Sequence, residues 1–281
     1  MSDDGDKTIG FGGFNRIVRG RDAVYLVNEN DAYVGRSLIE YGEYCEEEFR
    51  ILQQMCGTGS FIAEVGANIG AHTVRMAKQV GISGRIIAFE PQPVVFQTLC
   101  ATVALNSLMN VDCYPFALAE AEETARFPAI DYRVANNFGG ISFETLPQGV
   151  IPIPVRRFDD SYLHGRLDLL KLDVEGMELR VLKGTQQSIE RFRPYIYLEN
   201  DNRDKSPALI NWLFEADYRL WWHTPALFSP ANFFTNPEDV FGGVYSINML
   251  CVHNSVTTTV PLREVTSADE FPTILLEPGK P

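Results

Sequence analysis

The sequence predicts an α/β protein with a seven-stranded, mostly parallel sheet, an antiparallel last strand and helices on both faces. Three observations point there. Short, near-continuous apolar segments alternate with helical patterns, as in parallel strands buried on both sides. Several apolar segments end in a glycine turn or an acid, where such sheets bind ligands. The last two strands have no helical segment between them, only a loop at 224–244, so the final strand enters antiparallel.

From the N-terminus, residues 1 to 14 are rich in Gly and Asp and are expected to be unanchored. An apolar run at 23–27 predicts a short strand. Phe49, Leu52 and Met55 stand at helical spacing and predict a helix over 45–55. Together these form an N-terminal extension, residues 1–56, whose strand and helix cover the binding site. The main domain is expected over 57–254, with strands at 61–65, 85–89, 111–117, 167–172, 195–198, 218–222 and 245–252. Helices are expected at 71–80, 94–105, 177–182 and 207–216. Insertions at 131–143 and 224–244 are long enough to cover a site, and residues 255–281 read as a tail.

Composition narrows the function. With 281 residues, 45% hydrophobic and 22% charged, the chain can bury a full core. No apolar run approaches the roughly 20 residues that span a bilayer. The acidic start, Met1-Ser2-Asp3-Asp4, lacks the pattern of a signal peptide, so a cytoplasmic protein without a membrane partner is expected. The five cysteines are scattered with no CxxC pair, which suits a reducing compartment. A net charge of −13, from 24 basic and 37 acidic residues, argues against a nucleic-acid partner.

Binding chemistry gathers at consecutive strand ends. The first strand of the main domain ends Glu64-Val65 and runs into Gly66-Ala67-Asn68-Ile69-Gly70. Glycines at 66 and 70 permit a tight turn and close approach of a ligand. The next strand ends at Glu90-Pro91, where a carboxylate can accept both hydroxyls of a ribose. Phe116-Ala117-Leu118 ends a third strand, where the backbone amides can meet an adenine edge. Each feature alone is compatible with mere packing or helix capping; their convergence is what argues for a nucleotide site. The loop is GxxxG rather than GxGxxG, and Glu64 would repel a pyrophosphate while suiting a sulfonium or ammonium. That favours S-adenosylmethionine over a dinucleotide, and no Walker lysine supports ATP.

These residues resemble the FkbM family of S-adenosylmethionine-dependent methyltransferases, over roughly residues 31–252. The resemblance rests on Glu64 to Gly70, Phe89-Glu90-Pro91, Phe158-Asp159-Asp160 and, most specifically, Leu170-Lys171-Leu172-Asp173-Val174-Glu175-Gly176-Met177-Glu178. Leu182-Lys183-Gly184 and Tyr197-Leu198-Glu199 extend it. Tyr41-Gly42-Glu43-Tyr44 is similar to the segment that closes over the cofactor, which implies binding roles for Tyr41 and Glu43. The family usually carries Asp where this chain has Glu64. The resemblance implies a Rossmann-like class I methyltransferase fold.

At the reacting end, Asp173 is expected beside the sulfonium, with Lys171 on the same strand face. Their alternative reading is a purely structural ion pair. Asp173, Glu199 and Asn200 look similar to the magnesium ligands of catechol-type O-methyltransferases, so a divalent ion is carried as a conditional cofactor. His223, at the end of the strand before the 224–244 loop, is the candidate base, and a loop hydrogen bond is its bland alternative. His72 is expected to serve the helix turn. Trp221, Trp222, Phe228, Phe233 and Phe234 are candidates for an acceptor wall, with Asn136 to Gly140 opposite. The expected activity is O-methylation of a hydroxyl on a small molecule, glycan or natural product. An NAD(P)-dependent oxidoreductase and a catalytically idle cofactor-binding protein are the alternatives.

Overall fold

The computed structural model describes residues 8–10, 12–141, 150–161 and 165–273. Its centre is an eight-stranded sheet. One half runs parallel: β6 (Val111–Tyr114), β5 (Arg85–Phe89), β4 (Phe61–Val65), β10 (Leu169–Leu172) and β11 (Tyr195–Glu199), in that spatial order. Beyond β11 lies β13 (Asn248–His253), antiparallel to β11 and to the next strand, β12 (Tyr218–His223). The antiparallel final strand of the expected seven therefore wedges between two strands that precede it in sequence. An eighth strand, β14 (Arg263–Val265), pairs antiparallel with β12 through Leu220 and Val265. It lies in the region expected to be tail; three residues on a sheet edge leave no periodic signal.

Side-chain alternation splits the apolar strands between two faces. Ile62 and Ile86 pack on one face with Phe49, Leu52, Val74 and Leu99, from α2 (Glu46–Met55), α3 (Thr73–Val80) and α4 (Pro93–Leu105). Ala63, Ile87 and Phe89 pack on the other with Val181, Ile189, Leu209 and Leu213. Those belong to α6 (Glu178–Gly184), α7 (Gln186–Phe192) and α8 (Ser206–Glu215). Burying both faces accounts for runs such as Arg85-Ile86-Ile87-Ala88-Phe89, which lack polar alternation.

The extension is more structured than expected. Thr8–Gly10 (β1), placed by the sequence in an unanchored start, pairs with β2 (Asn15–Arg19), which pairs with β3 (Val24–Asn28). Thr102 of α4 and Asn106, just past its end, hold the backbone of β3 at Leu26 and Val24. A helix absent from the expectation, α1 (Val34–Tyr41), is capped at Gly42 in the left-handed region, φ 68°. Arg75 of α3 reaches Asp22 and Glu46, joining the small sheet and α2 to the main domain.

The strand expected over 111–117 is split. Tyr114 ends β6, while Ala117–Leu118 (β7) joins a second small sheet with β9 (Ile151–Arg156) and β8 (Glu123–Phe127). Pro152 and Pro154 hid β9, because proline argues against a paired strand. A short helix, α5 (Phe158–Ser161), leads back toward β10. Among the described residues no helix is long and apolar enough to cross a membrane.

Candidate active site

The turn after β4 is fixed by its neighbours. The N–H groups of Gly66 and Ala67 both donate to the Phe89 carbonyl at 3.0 Å, and Asp173 N–H donates to the Val65 carbonyl at 3.0 Å. Gly66 sits at φ +82°, and a Cβ there would overlap the Asp173 carbonyl oxygen. Glycine is thus required both for backbone conformation and because two strand ends touch. Gly70, at φ +87°, packs on Leu99 and shapes the turn without lining the cleft.

The turn after β10 explains its motif residue by residue. Glu175 adopts φ 54° and Gly176 φ 90°, both in the left-handed region. The Glu178 carboxylate accepts N–H bonds from Val174 at 3.3 Å and Gly176 at 3.1 Å. Burial pushes its acid up to about 7, although those amides favour the charged form. Asp173 and Glu175 are consequently presented outward from a pinned loop.

These turns border a cleft of about 430 Å³ at the C-terminal ends of the central strands. Among the described residues seven carboxylates line it: Glu48, Glu64, Glu90, Asp173, Glu175, Glu199 and Asp201. Lys171 is the one ammonium among the described lining residues. It is 2% exposed and stands 3.4 Å from Asp173 and 3.5 Å from Glu48. Burial alone would discharge it, but Asp173, Glu48 and Glu64 outweigh that and raise its pKa. Burial pushes Glu64 up to about 7, opposed by Lys171 and by the Thr73 hydroxyl, which donates to it. Burial likewise pushes Glu90 up to about 7; its two oxygens accept the N–H groups of Gln92 and Asn68, each at 2.9 Å.

A smaller apolar pocket opens beside Glu90. Pro91, Phe116, Ala117, Leu118 and Ile141 line it, and Gly66 and Glu90 belong to both spaces. The residues expected to meet an adenosine thus surround one continuous corner. Ala67 and Asn68 line the main cleft, facing Asn137, Gly139 and Gly140 of the 131–143 insertion.

Other expected site residues lie elsewhere. The Tyr41 hydroxyl donates to the Glu238 carbonyl and accepts from Val240 N–H, and its ring packs on Phe228 and Phe241. Glu43 pairs with Arg21 at 2.6 Å and accepts Phe233 N–H. Both tie the extension to the 224–244 loop and neither lines the cleft; Tyr44, their neighbour, does. His223 ends one strand further out, its Nδ1 2.7 Å from the Tyr197 hydroxyl, behind the cleft wall. Burial lowers its pKa to about 4. The Asn200 amide donates to Ser206 Oγ and Met249 Sδ, turned away from Asp173. Trp221 and Trp222 are core, and none of the five expected wall aromatics lines the cleft.

Sequence reasoning missed Glu48 and Glu175 and undervalued His72. Glu48 arrives from α2, and its Oε1 lies between Lys171 and His72 Nε2, the latter at 3.4 Å. His72 is 4% exposed, makes no helix-capping bond and borders the cleft. Burial, Lys171 and Arg75 keep it neutral. Only Glu175 had a local signal, its place inside the LKLDVEGME motif. Glu48 is one of three consecutive acids at the start of a helix, which ordinarily read as favourable dipole partners.

The central sheet, with its cleft at the glycine turn and acids at successive strand ends, has the Rossmann-like architecture of the class I methyltransferase fold. Residues 64–220 match the methyltransferase FkbM domain. The chain belongs to that family. Among curated relatives it is 30% identical to methyltransferase sdnD of Sordaria araneosa, the match covering 45% of this chain and 61% of that one. It is 28% identical to methyltransferase 1 of Beauveria bassiana, over 44% and 58% of the two chains. The chain thus spans about three-fifths of the length of these relatives. A methyltransferase FkbM structure from Methylobacillus flagellatus shares 18% identity, covering 70% of this chain and 44% of that one, at a TM-score of 0.48.

Proposed function

We propose that this protein transfers the methyl group of S-adenosylmethionine to a hydroxyl of a small-molecule or glycan acceptor. The observation that carries the reading is the acid-rich lining of the cleft: among the described residues, seven acidic side chains, several held partly protonated by burial, against one ammonium. Such a surface suits a sulfonium and an α-ammonium and opposes the pyrophosphate of a dinucleotide, which disfavours the oxidoreductase alternative. Glu90, with two buried oxygens that each keep a further lone pair, would hold the ribose hydroxyls. The Pro91, Ala117 and Leu118 pocket would take the adenine, and the turn at Gly66, Ala67 and Asn68 the amino-acid tail. Bound there, the cofactor supplies an electrophilic methyl group.

The chain's own residues then position the acceptor and manage its proton. Asp173, 37% exposed, is the group of the Lys171 pair that opens into the cleft. It is placed to accept a hydrogen bond from an acceptor hydroxyl, while Lys171 holds its orientation. Incubation with methyl-labelled S-adenosylmethionine and fractionated metabolites, read by mass, tests the reading. A product heavier by one labelled methyl on oxygen supports it. Tight S-adenosylhomocysteine binding with no methylated product would favour the idle cofactor-binding alternative. NAD(P)H binding without affinity for S-adenosylhomocysteine would overturn the assignment.

A further inference from the structure

Three acids converge at the reacting end of the cleft. Asp173 and Glu175 leave the pinned turn after β10, and Glu199 ends the adjacent β11. One carboxylate oxygen from each lies within 4.8 Å of the other two. Oxygens around a single divalent ion, at about 2.0–2.6 Å from it, stand roughly 3–5 Å apart, so the spacing matches. A second observation concerns Glu199 itself. Its Oε2 is buried and has no hydrogen-bond donor among the described residues. A buried acceptor left bare costs free energy unless something supplies the missing partner.

Among the described residues no side chain does so. Lys171 is committed to Glu48 and Asp173, and neither Glu175 nor Glu199 has an ion pair among the described residues. Burial first, and then Asp173 and the neighbouring acids, push Glu175 up to about 8 and Glu199 well above the carboxylate range. The set differs from that expected from sequence: Asn200 is tied to Ser206 and Met249, and Glu175 takes its place.

We propose that Asp173, Glu175 and Glu199 form a site for a divalent cation of the magnesium class, which draws the hydroxyl-bearing acceptor to the end of β10. An ion held there would leave coordination positions for acceptor oxygens and would ease loss of the hydroxyl proton. This rests on the reading of the cleft as a methyl-transfer site.

Titration calorimetry with magnesium chloride tests the site without any turnover. It is run near pH 8 on the full chain, with and without S-adenosylhomocysteine, in two buffers of different ionisation enthalpy. The expected result is saturable one-site binding whose heat depends on the buffer, because the ion displaces protons held by the raised acids. Glu175→Gln and Glu199→Gln should each weaken binding about tenfold or more, since ligand charge sets affinity. Both substitutions remove like-charge repulsion, so without metal the variants should melt no lower than the parent. Absence of saturable binding by magnesium, manganese or calcium at millimolar concentration overturns the proposal, as does binding equal in both variants. S-adenosylhomocysteine binding is measured in the same samples. If it binds and the metals do not, the cation site alone fails; if neither binds, the reading of the cleft fails with it.

Discussion

Replacing Lys171 by Met removes the one ammonium among the described residues that line the cleft while keeping most of the side-chain volume. Glu48, 5% exposed, and Glu64, 1% exposed, then lose their shared positive neighbour. Breaking a buried pair from one side costs about 3–5 kcal/mol. Linkage gives a second route to the magnitude. Burial already raises both Glu64 and Glu48 against the pull of Lys171, so losing the ammonium raises them further. Holding one such carboxyl protonated against an unfolded value of about 4.3 costs about 4 kcal/mol at pH 7.5 and about 1.6 kcal/mol at pH 5.5. The sign follows from the raised pKa. A carboxyl whose folded pKa lies above its unfolded one contributes fully below the unfolded value and loses that contribution as pH rises through the folded value. Lys171→Met widens that window upward. At about 2–3 °C per kcal/mol, the variant should melt about 8–12 °C below the parent at pH 7.5 and about 3–5 °C below it at pH 5.5. Thermal melts at the two pH values measure this directly. An equal loss at both would mean that Lys171 acts through packing, and no loss would mean that its charge is dispensable.

Two further outcomes follow from the same geometry. Glu90→Gln replaces one acceptor oxygen with a donor; S-adenosylhomocysteine should bind about 10–100-fold more weakly by calorimetry, and a Kd within twofold of the parent would remove Glu90 from ribose recognition. His223→Ala should leave the pH–rate profile and turnover within about threefold, because the ring lies behind the cleft wall. It should lower stability by about 1–3 kcal/mol, as the Tyr197 hydroxyl loses one of its two partners and keeps only the bond from Asn248. A hundredfold fall in turnover with an intact fold would restore His223 as the base.

The parallel core was legible because each strand is buried on both faces and so is nearly all apolar, as in Leu169-Leu170-Lys171-Leu172. The glycine turn and Glu90 were legible for a related reason: φ +82° at Gly66 and a strand-end acid leave local marks. The small sheets left weaker marks. Strand β9 alternates buried and exposed residues but carries two prolines, and β7 is two residues long. The misplaced site residues fail in one common way. Tyr41, Glu43, His223 and Asn200 have the right chemistry at the right point of the chain, yet each spends polar atoms on a partner outside the cleft, distant in sequence for Tyr41, Glu43 and His223 and for the Met249 contact of Asn200.

By itself the sequence determined the β4 turn, the acid on β5 and the Asp173 motif, because each depends on residues adjacent along the chain. Only the tertiary structure decided which acids share a space. Glu48 comes from the extension and Glu199 from β11, and they meet Lys171 and Asp173 because β13 and α2 close the end of the sheet. Coulomb interactions depend on distance in space and on burial, and neither is written in the spacing of residues along the chain. The glycine turn fixes where the cofactor is expected; the folded chain sets the field its sulfonium would meet.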